Sequence, residues 1–239
     1  MIVCHAARLI MLLPWKTASQ TIRARLVNDG VAPYPVFHAF NPALGRVASQ
    51  HLTMADFAAL PEAALGYRMA VFIRNPYDRV VSGFAQFLRD TQWQPGAQFP
   101  EPWIRDMVLA GLAANLALIN ACGRDINAWV ERLPEQKVRD ACRDCTLPLH
   151  PVCYWTHRQG RLAADFVGKV ETFEVDFGRL CAAYSLRPVH AKNENEAPAL
   201  PARPDAHGYR YAHLLSPGSI RRINQLFAQD FDAFEYIRL

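Results

Sequence analysis

The chain has 239 residues, 51% of them hydrophobic and 20% charged, with a formal net charge of +4. That length and balance suffice for a full core in one domain and exclude a disordered chain. The small, dispersed positive excess suits an anionic ligand and makes no case for nucleic acid as a partner. No uninterrupted apolar stretch is as long as the roughly 18 residues of a membrane span, so no span is expected. The opening MIVCHAARLIMLLPW carries one arginine and runs straight into a candidate ligand loop. Cleavage there, as in a signal peptide, would cripple that loop, so the segment reads as a strand and the protein as cytoplasmic. Six cysteines, Cys4, Cys122, Cys142, Cys145, Cys153 and Cys181, then default to reduced thiols. Cys142-Arg-Asp-Cys145, with His150, Cys153 and His157 nearby, is a lone CxxC. Loop or buried thiols explain it more simply than zinc or an oxidised pair.

In chain order, residues 7–13 are a short apolar run stopped by Pro14, which predicts a buried first strand. Residues 19–28 have helical spacing, with Ile22 and Leu26 four apart, and end at Asn28-Asp29-Gly30. A short strand is expected over 36–40 and a short helix over 56–60, before Pro61. Residues 67–74, YRMAVFIR, read as a second buried strand broken by Asn75-Pro76. A helix follows over 78–89, with Val81, Phe84, Ala85 and Leu88 on one face. Residues 90–102 read as a surface loop, and 103–133 as a long helical region divided near Gly123. Residues 145–158 are loop-like, 166–170 a third central strand and 173–184 a helix. Residues 193–207 are proline-rich and extended, and 219–231 form a closing helix striped by Ile220, Ile223, Leu226 and Phe227. Buried strands alternating with helices predict an α/β fold around a central, mainly parallel sheet. Such sheets bind ligands at the carboxyl ends of their strands, where Lys16 and Arg74 both fall.

A strand, a turn and a helix N-terminus together make an anion site, because unpaired N–H groups and the helix dipole point outward. In Pro14-Trp-Lys-Thr-Ala-Ser-Gln-Thr21, Lys16 adds a charge, and Thr17, Ser19 and Thr21 add hydroxyl donors. A Walker A loop requires GxxxxGK[ST]; this one has no glycine and carries Lys-Thr at its start. It suits one phosphate-like group without a metal. A plain helix cap after a strand explains the segment equally well when it is taken alone. The second segment, residues 71–84, is VFIRNPYDRVVSGF. It puts Arg74 at a strand end and Ser82 on the next helix, which is phosphate-clamp chemistry. An Arg74–Asp78 turn-closing pair is the bland alternative.

Together the two segments resemble the sulfotransferases that use 3′-phosphoadenosine-5′-phosphosulfate (PAPS), especially the carbohydrate sulfotransferase branch and its bacterial relatives. Lys16, Thr17, Ala18, Ser19, Gln20 and Thr21 are similar to that family's 5′-phosphosulfate loop, here residues 14–22. Arg74, Asn75, Pro76, Arg79 and Ser82 match its R-[ND]-P-x-x-R-x-x-S segment, in which the arginine and serine hold the 3′-phosphate. Asp165-Phe-Val-Gly-Lys-Val-Glu-Thr-Phe173, His190-Ala-Lys-Asn193, and Ile223 through Asp230-Phe to Phe234-Glu-Tyr236 resemble further family elements, so the likeness spans nearly the whole chain. Two departures are Trp15, between the usual proline and lysine, and Gln20, where threonine or serine is common.

The resemblance implies a single sulfotransferase domain over residues 1–239 with a P-loop-like, three-layer fold. It implies PAPS as co-substrate, adenosine 3′,5′-bisphosphate as product, and no metal. Lys16 would stabilise the departing phosphate, as in in-line phosphoryl transfer. The acceptor hydroxyl, expected on a carbohydrate or glycolipid, needs a base. His51, in Gln50-His-Leu-Thr53 between the two phosphate segments, is the first candidate. His38 is the reserve and Glu62 a carboxylate alternative; a helix-cap role for His51 is the bland reading. An ATP-dependent P-loop kinase, a non-catalytic nucleotide-binding protein and a zinc module on Cys142 and Cys145 are the competing readings.

Overall fold

A computed structural model describes residues 1–26, 31–33, 38–90, 99, 101–133, 149–189 and 201–239. The strands are β1 Ile2–Cys4, β2 Leu9–Leu12, β3 Val31–Pro33, β4 Ala39–Asn41, β5 Arg46–Ala48, β6 Arg68–Ile73, β7 His157–Arg158, β8 Arg161–Leu162 and β9 Phe166–Lys169. The helices are α1 Ser19–Leu26, α2 Met54–Ala58, α3 Pro76–Asp90, α4 Pro102–Ala121, α5 Ile126–Arg132, α6 Cys153–Thr156, α7 Phe173–Tyr184, α8 Pro217–Leu226 and α9 Ala228–Phe234. The chain divides into two compact units, each built from two stretches: Met1–Arg74 with Tyr154–Glu196, and Asn75–Cys153 with Ala197–Leu239.

The first unit is α/β. Its sheet has the order β3-β1-β2-β6-β9, and the expected mainly parallel sheet is in fact mixed. The pairings β2–β6 and β6–β9 are parallel, whereas β1 runs antiparallel to both β2 and β3. The cause is a tight reversal at residues 5–8. The Arg8 N–H donates to the His5 carbonyl at 3.1 Å with Arg8 at φ +48°, which folds Ile2–Cys4 back onto Leu9–Met11. The central strand β2 is buried on both faces, Leu9 through Leu12 being 0% exposed, as the middle of a helix-flanked sheet requires. Around it pack Ile22 and Leu26 of α1 and Phe177 and Leu180 of α7. The Phe72 ring meets Phe166, Phe173 and Phe177 at centroid distances of 6.2, 5.2 and 6.3 Å. Gly168 makes this possible, since a Cβ there would lie 2.6 Å from the Phe72 ring. Because β2, β6 and β9 point the same way, the segments after Leu12, Ile73 and Lys169 leave from one edge.

The second unit is helical. α3 buries Tyr77, Val80, Val81, Phe84 and Phe87, and Trp129 of α5 packs on Phe84 and Phe87 at 5.3 and 6.0 Å. The long helical region is divided near Gly123, at φ +62°, between α4 and α5. The closing helix is two helices. Phe227, at φ −116° and ψ 25°, leaves helical geometry between α8 and α9 while its ring is wholly buried. α4 bears on the expectation of no membrane span. It has 20 residues and a mean hydropathy of 1.3 over its apolar window, so by length and composition alone it is long and apolar enough to cross a membrane. Its apolar character is hidden from a reading of unbroken runs because Arg105, Asp106 and Asn115 interrupt it.

Candidate active site

After β2 the chain turns without a glycine. Lys16 and Ala18 take φ values of +64° and +61°, which is left-handed backbone that costs an L-residue about 1–2 kcal/mol. Left-handed residues at alternate positions curl the chain into a concave set of N–H groups, a nest for an anion. Thr17 is wholly buried, and its Oγ1 donates to the Pro14 carbonyl at 2.9 Å, pinning the curl. The first helical bond of α1 runs from the Ile22 N–H to the Ala18 carbonyl at 3.0 Å. The N–H groups of Ser19, Gln20 and Thr21 therefore precede the intrahelical ladder. No acidic residue sits in this first turn to neutralise the helix N-terminus. Ser19 is buried, whereas Lys16, Ala18, Gln20 and Thr21 are partly exposed. The Lys16 ammonium lies 5.7 Å from the centre of the Trp15 ring.

His51 is brought to this loop. Its Nδ1 is 2.7 Å from the Leu13 carbonyl. A carbonyl only accepts, so Nδ1 carries the proton and Nε2 presents its lone pair. Burial pushes the imidazole down to about 3, and positive charge at Lys16 works in the same direction. The ring is therefore neutral at pH 7. The segment just after His51 is held in place by a helix cap. Thr53 caps α2 by accepting from the Asp56 N–H at 3.2 Å, and Asp56 Oδ2 accepts from the Thr53 N–H at 2.9 Å. Arg46 pairs with the other oxygen of Asp56. The N-terminal amine and then His38 act on His51 in the same lowering direction, and Glu62 lies on the 3₁₀ turn Pro61–Leu65.

Arg74 comes directly after β6. It is partly exposed and leaves the same sheet edge as the Lys16 loop. The rest of its motif builds the fold of the second unit. Asn75 is 0% exposed, and its Oδ1 accepts from the Asp78 N–H at 2.8 Å as the cap of α3. The Tyr77 hydroxyl donates to Asn224 and accepts the Leu239 N–H. The Asp78 carboxylate accepts the Arg210 and Tyr211 N–H groups at 3.1 and 2.8 Å. Arg79 is wholly buried, 3.5 Å from Asp230 and with its guanidinium over the Phe227 ring. Asp230 also takes the Val152 and Cys153 N–H groups at 2.8 and 3.1 Å. Burial pushes the Asp230 carboxyl up, and Arg79 opposes this. Two motifs singled out separately in the sequence thus meet as one buried ion pair, a partnership that their spacing gave no way to foresee. Ser82 is buried in α3 of the same unit.

At β9 the Lys169 N–H donates to Asp176, which also accepts the Thr172 hydroxyl and pairs with Arg179. Asp176 thus closes the turn from β9 into α7. Among the described residues no group of three or more His, Cys, Asp and Glu side chains is placed to hold a metal ion. Cys142, Cys145, His190 and Asn193 lie outside the described residues. The orienting Leu13 carbonyl is a contributor that sequence reading missed, since a backbone acceptor leaves no residue-type signal.

Compared with known proteins, residues 3–237 match the model of the sulfotransferase family. No curated protein and no solved structure matches the chain.

Proposed function

The chain belongs to the sulfotransferase family and is a transferase, and from that premise we propose that it moves a sulfuryl group from PAPS to an acceptor hydroxyl, on a carbohydrate or glycolipid. The observation that carries this reading is the glycine-free nest at residues 16–21 with the Nδ1-protonated His51 beside it. The strand, nest and helix N-terminus form a P-loop-like unit sized for one phosphosulfate. The N–H groups of residues 17–21 hold the 5′-phosphate, with the Ser19 and Thr21 hydroxyls as further donors. Arg74 grips the 3′-phosphate.

In the reaction the acceptor oxygen attacks sulfur, and the bond from sulfur to the bridging oxygen of PAPS breaks. The hydroxyl proton passes to His51 Nε2. Charge that builds on the departing 5′-phosphate is met by the Lys16 ammonium and the loop N–H groups. The products are a sulfate ester and adenosine 3′,5′-bisphosphate. No metal enters this scheme, because the lysine and the nest supply the positive charge. An imidazole near 3 is a weak base in the empty site. The negative charge of bound PAPS opposes that depression and strengthens the base at the step that needs it. We also propose a cytoplasmic setting, in keeping with the free Cys4, Cys122, Cys153 and Cys181.

The test is calorimetric titration with adenosine 3′,5′-bisphosphate, ATP and AMP. Wild type is expected to bind the bisphosphate without metal and at least tenfold tighter than AMP, and Arg74→Ala is expected to lose that preference. Preference for ATP with magnesium would overturn the donor assignment.

A further inference from the structure

We propose that the outward face of α4 is an interface between two copies of this chain, packed antiparallel about a two-fold axis. The proposal is independent of the donor and base assignments.

The two faces of α4 differ in use. On one, Ile104, Val108, Asn115 and Ile119 are buried, and the helix packs on α3. On the other, Trp103, Met107, Ala110, Ala114, Ala117 and Ala121 are all exposed. Their spacing alternates four and three residues, so they form one straight stripe along the helix, the pattern of a seam between two helices. Trp103 is 48% exposed and Met107 37%, and only 22% of the apolar window of α4 is buried within the chain. The helix has 20 residues, which at 1.5 Å each make it about 30 Å long. Apolar surface that runs the length of such a helix marks a place of contact.

The stripe is complementary to itself, which selects a second copy as its occupant. Its bulk lies at one end, in Trp103 and Met107, and its alanines fill the rest. Antiparallel pairing centred on Leu112 sets Trp103 against Ala121 of the second copy, Met107 against its Ala117 and Ala110 against its Ala114. Large then meets small, and the alanines let the two axes approach closely. A parallel pair would stack indole on indole and leave the alanine end gapped. The charges agree with the sizes. Glu101 caps the Trp103 end and accepts from the Trp103 Nε1–H. At the Ala121 end Arg124 is exposed, and Arg132 donates to the Ala121 carbonyl at 3.1 Å. The antiparallel register brings Glu101 level with Gly123, beside Arg124 of the second copy, and the two-fold axis repeats this pair. The N-terminus of each helix also meets the C-terminus of the other, so the dipoles attract. A helix that lies on lipid is rich in lysine and arginine along its polar face. Here the Trp103 end carries Glu101, and its one arginine, Arg105, is paired with Asp106 at 2.9 Å.

The experiment is sedimentation equilibrium of the full chain over a concentration series, with circular dichroism to confirm that each variant is folded. Wild type is expected at the mass of two chains. Ala114→Arg puts a charge at the centre of the seam and is expected to raise the dimer dissociation constant by tenfold or more. Arg124→Glu sets like charges together at both ends and is expected to weaken the dimer. Glu101→Lys/Arg124→Glu reverses both members of each pair and is expected to restore it. If Ala114→Arg does not fold, the charge-reversal series decides alone. Wild type at the mass of one chain throughout, a dimer unmoved by Ala114→Arg, or a double variant no tighter than Arg124→Glu overturns the proposal. Flotation of wild type with phosphatidylcholine vesicles, lost in Ala114→Arg, would assign the face to lipid and overturn it as well.

Discussion

A neutral imidazole whose Nδ1–H is committed to the Leu13 carbonyl can take a proton only at Nε2, so the role of His51 is set by one backbone acceptor. The same burial that keeps the ring neutral makes the chain sensitive to acid. The folded pKa of about 3 lies below the ordinary 6.5. Between those values the unfolded chain binds a proton at this position and the folded chain does not, so stability falls as pH drops through that window. The slope from one such group reaches at most about 1.4 kcal/mol per pH unit. In denaturant titrations at pH 4 to 7, His51→Gln is expected to flatten this limb, because glutamine keeps a donor for Leu13 and does not titrate. A variant as steep as wild type would show that the limb comes from other groups. His51 was legible as a candidate from its place between two phosphate segments. Its tautomer was not, because the partner is a main-chain oxygen brought from 38 residues away.

Elements were most legible where one segment carried its own signal. The helix over 173–184 was read with the bounds that α7 shows, and β6 differs from its expectation by one residue at each end. The failures are short or composite. β1 has three residues, too few for any period, and only pairing with β2 and β3 makes it a strand. The β7–β8 hairpin has two residues a side, and its turn is Gln-Gly instead of the Asn-Gly that announces a hairpin. The stripe from Ile220 through Phe227 ran on to Phe231, and nothing in its period marks the break at Phe227. Gly168 sits at the interior of β9 for a packing reason. Phe72 is 1% exposed and enclosed by three other aromatic rings, so its ring cannot retreat from an added methyl group. Gly168→Ala is expected to cost about 1–3 kcal/mol by denaturant unfolding. A loss within error of zero would mean that the ring has room to move.

At the scale of the whole molecule, each compact unit is assembled from two stretches far apart in the chain. Local patterns announced the pieces, but not which pieces share a core. Arg79 and Asp230 are the clearest instance. They are 151 residues apart and 0% exposed, yet they form one ion pair. The arginine's place in an anion motif is silent about its use, since burial turns a ligand-type residue into a framework one. Asp230→Ala leaves the Arg79 charge buried without its carboxylate and is expected to cost about 3–5 kcal/mol. Asp232→Ala, which removes the exposed partner of Arg238, is expected to cost less than about 1 kcal/mol. Paired unfolding curves check this, and equal costs for the two would refute the framework role of Asp230.

The absence of glycine from the Lys16 loop has a thermodynamic consequence. A glycine-rich phosphate loop samples many shapes when empty, and a ligand must suppress them on arrival. Here Thr17 is locked to Pro14, and Lys16 and Ala18 are held in a backbone region that L-residues seldom visit. The conformational entropy is therefore surrendered once, during folding, and under the proposed reading the nest meets an anion already ordered.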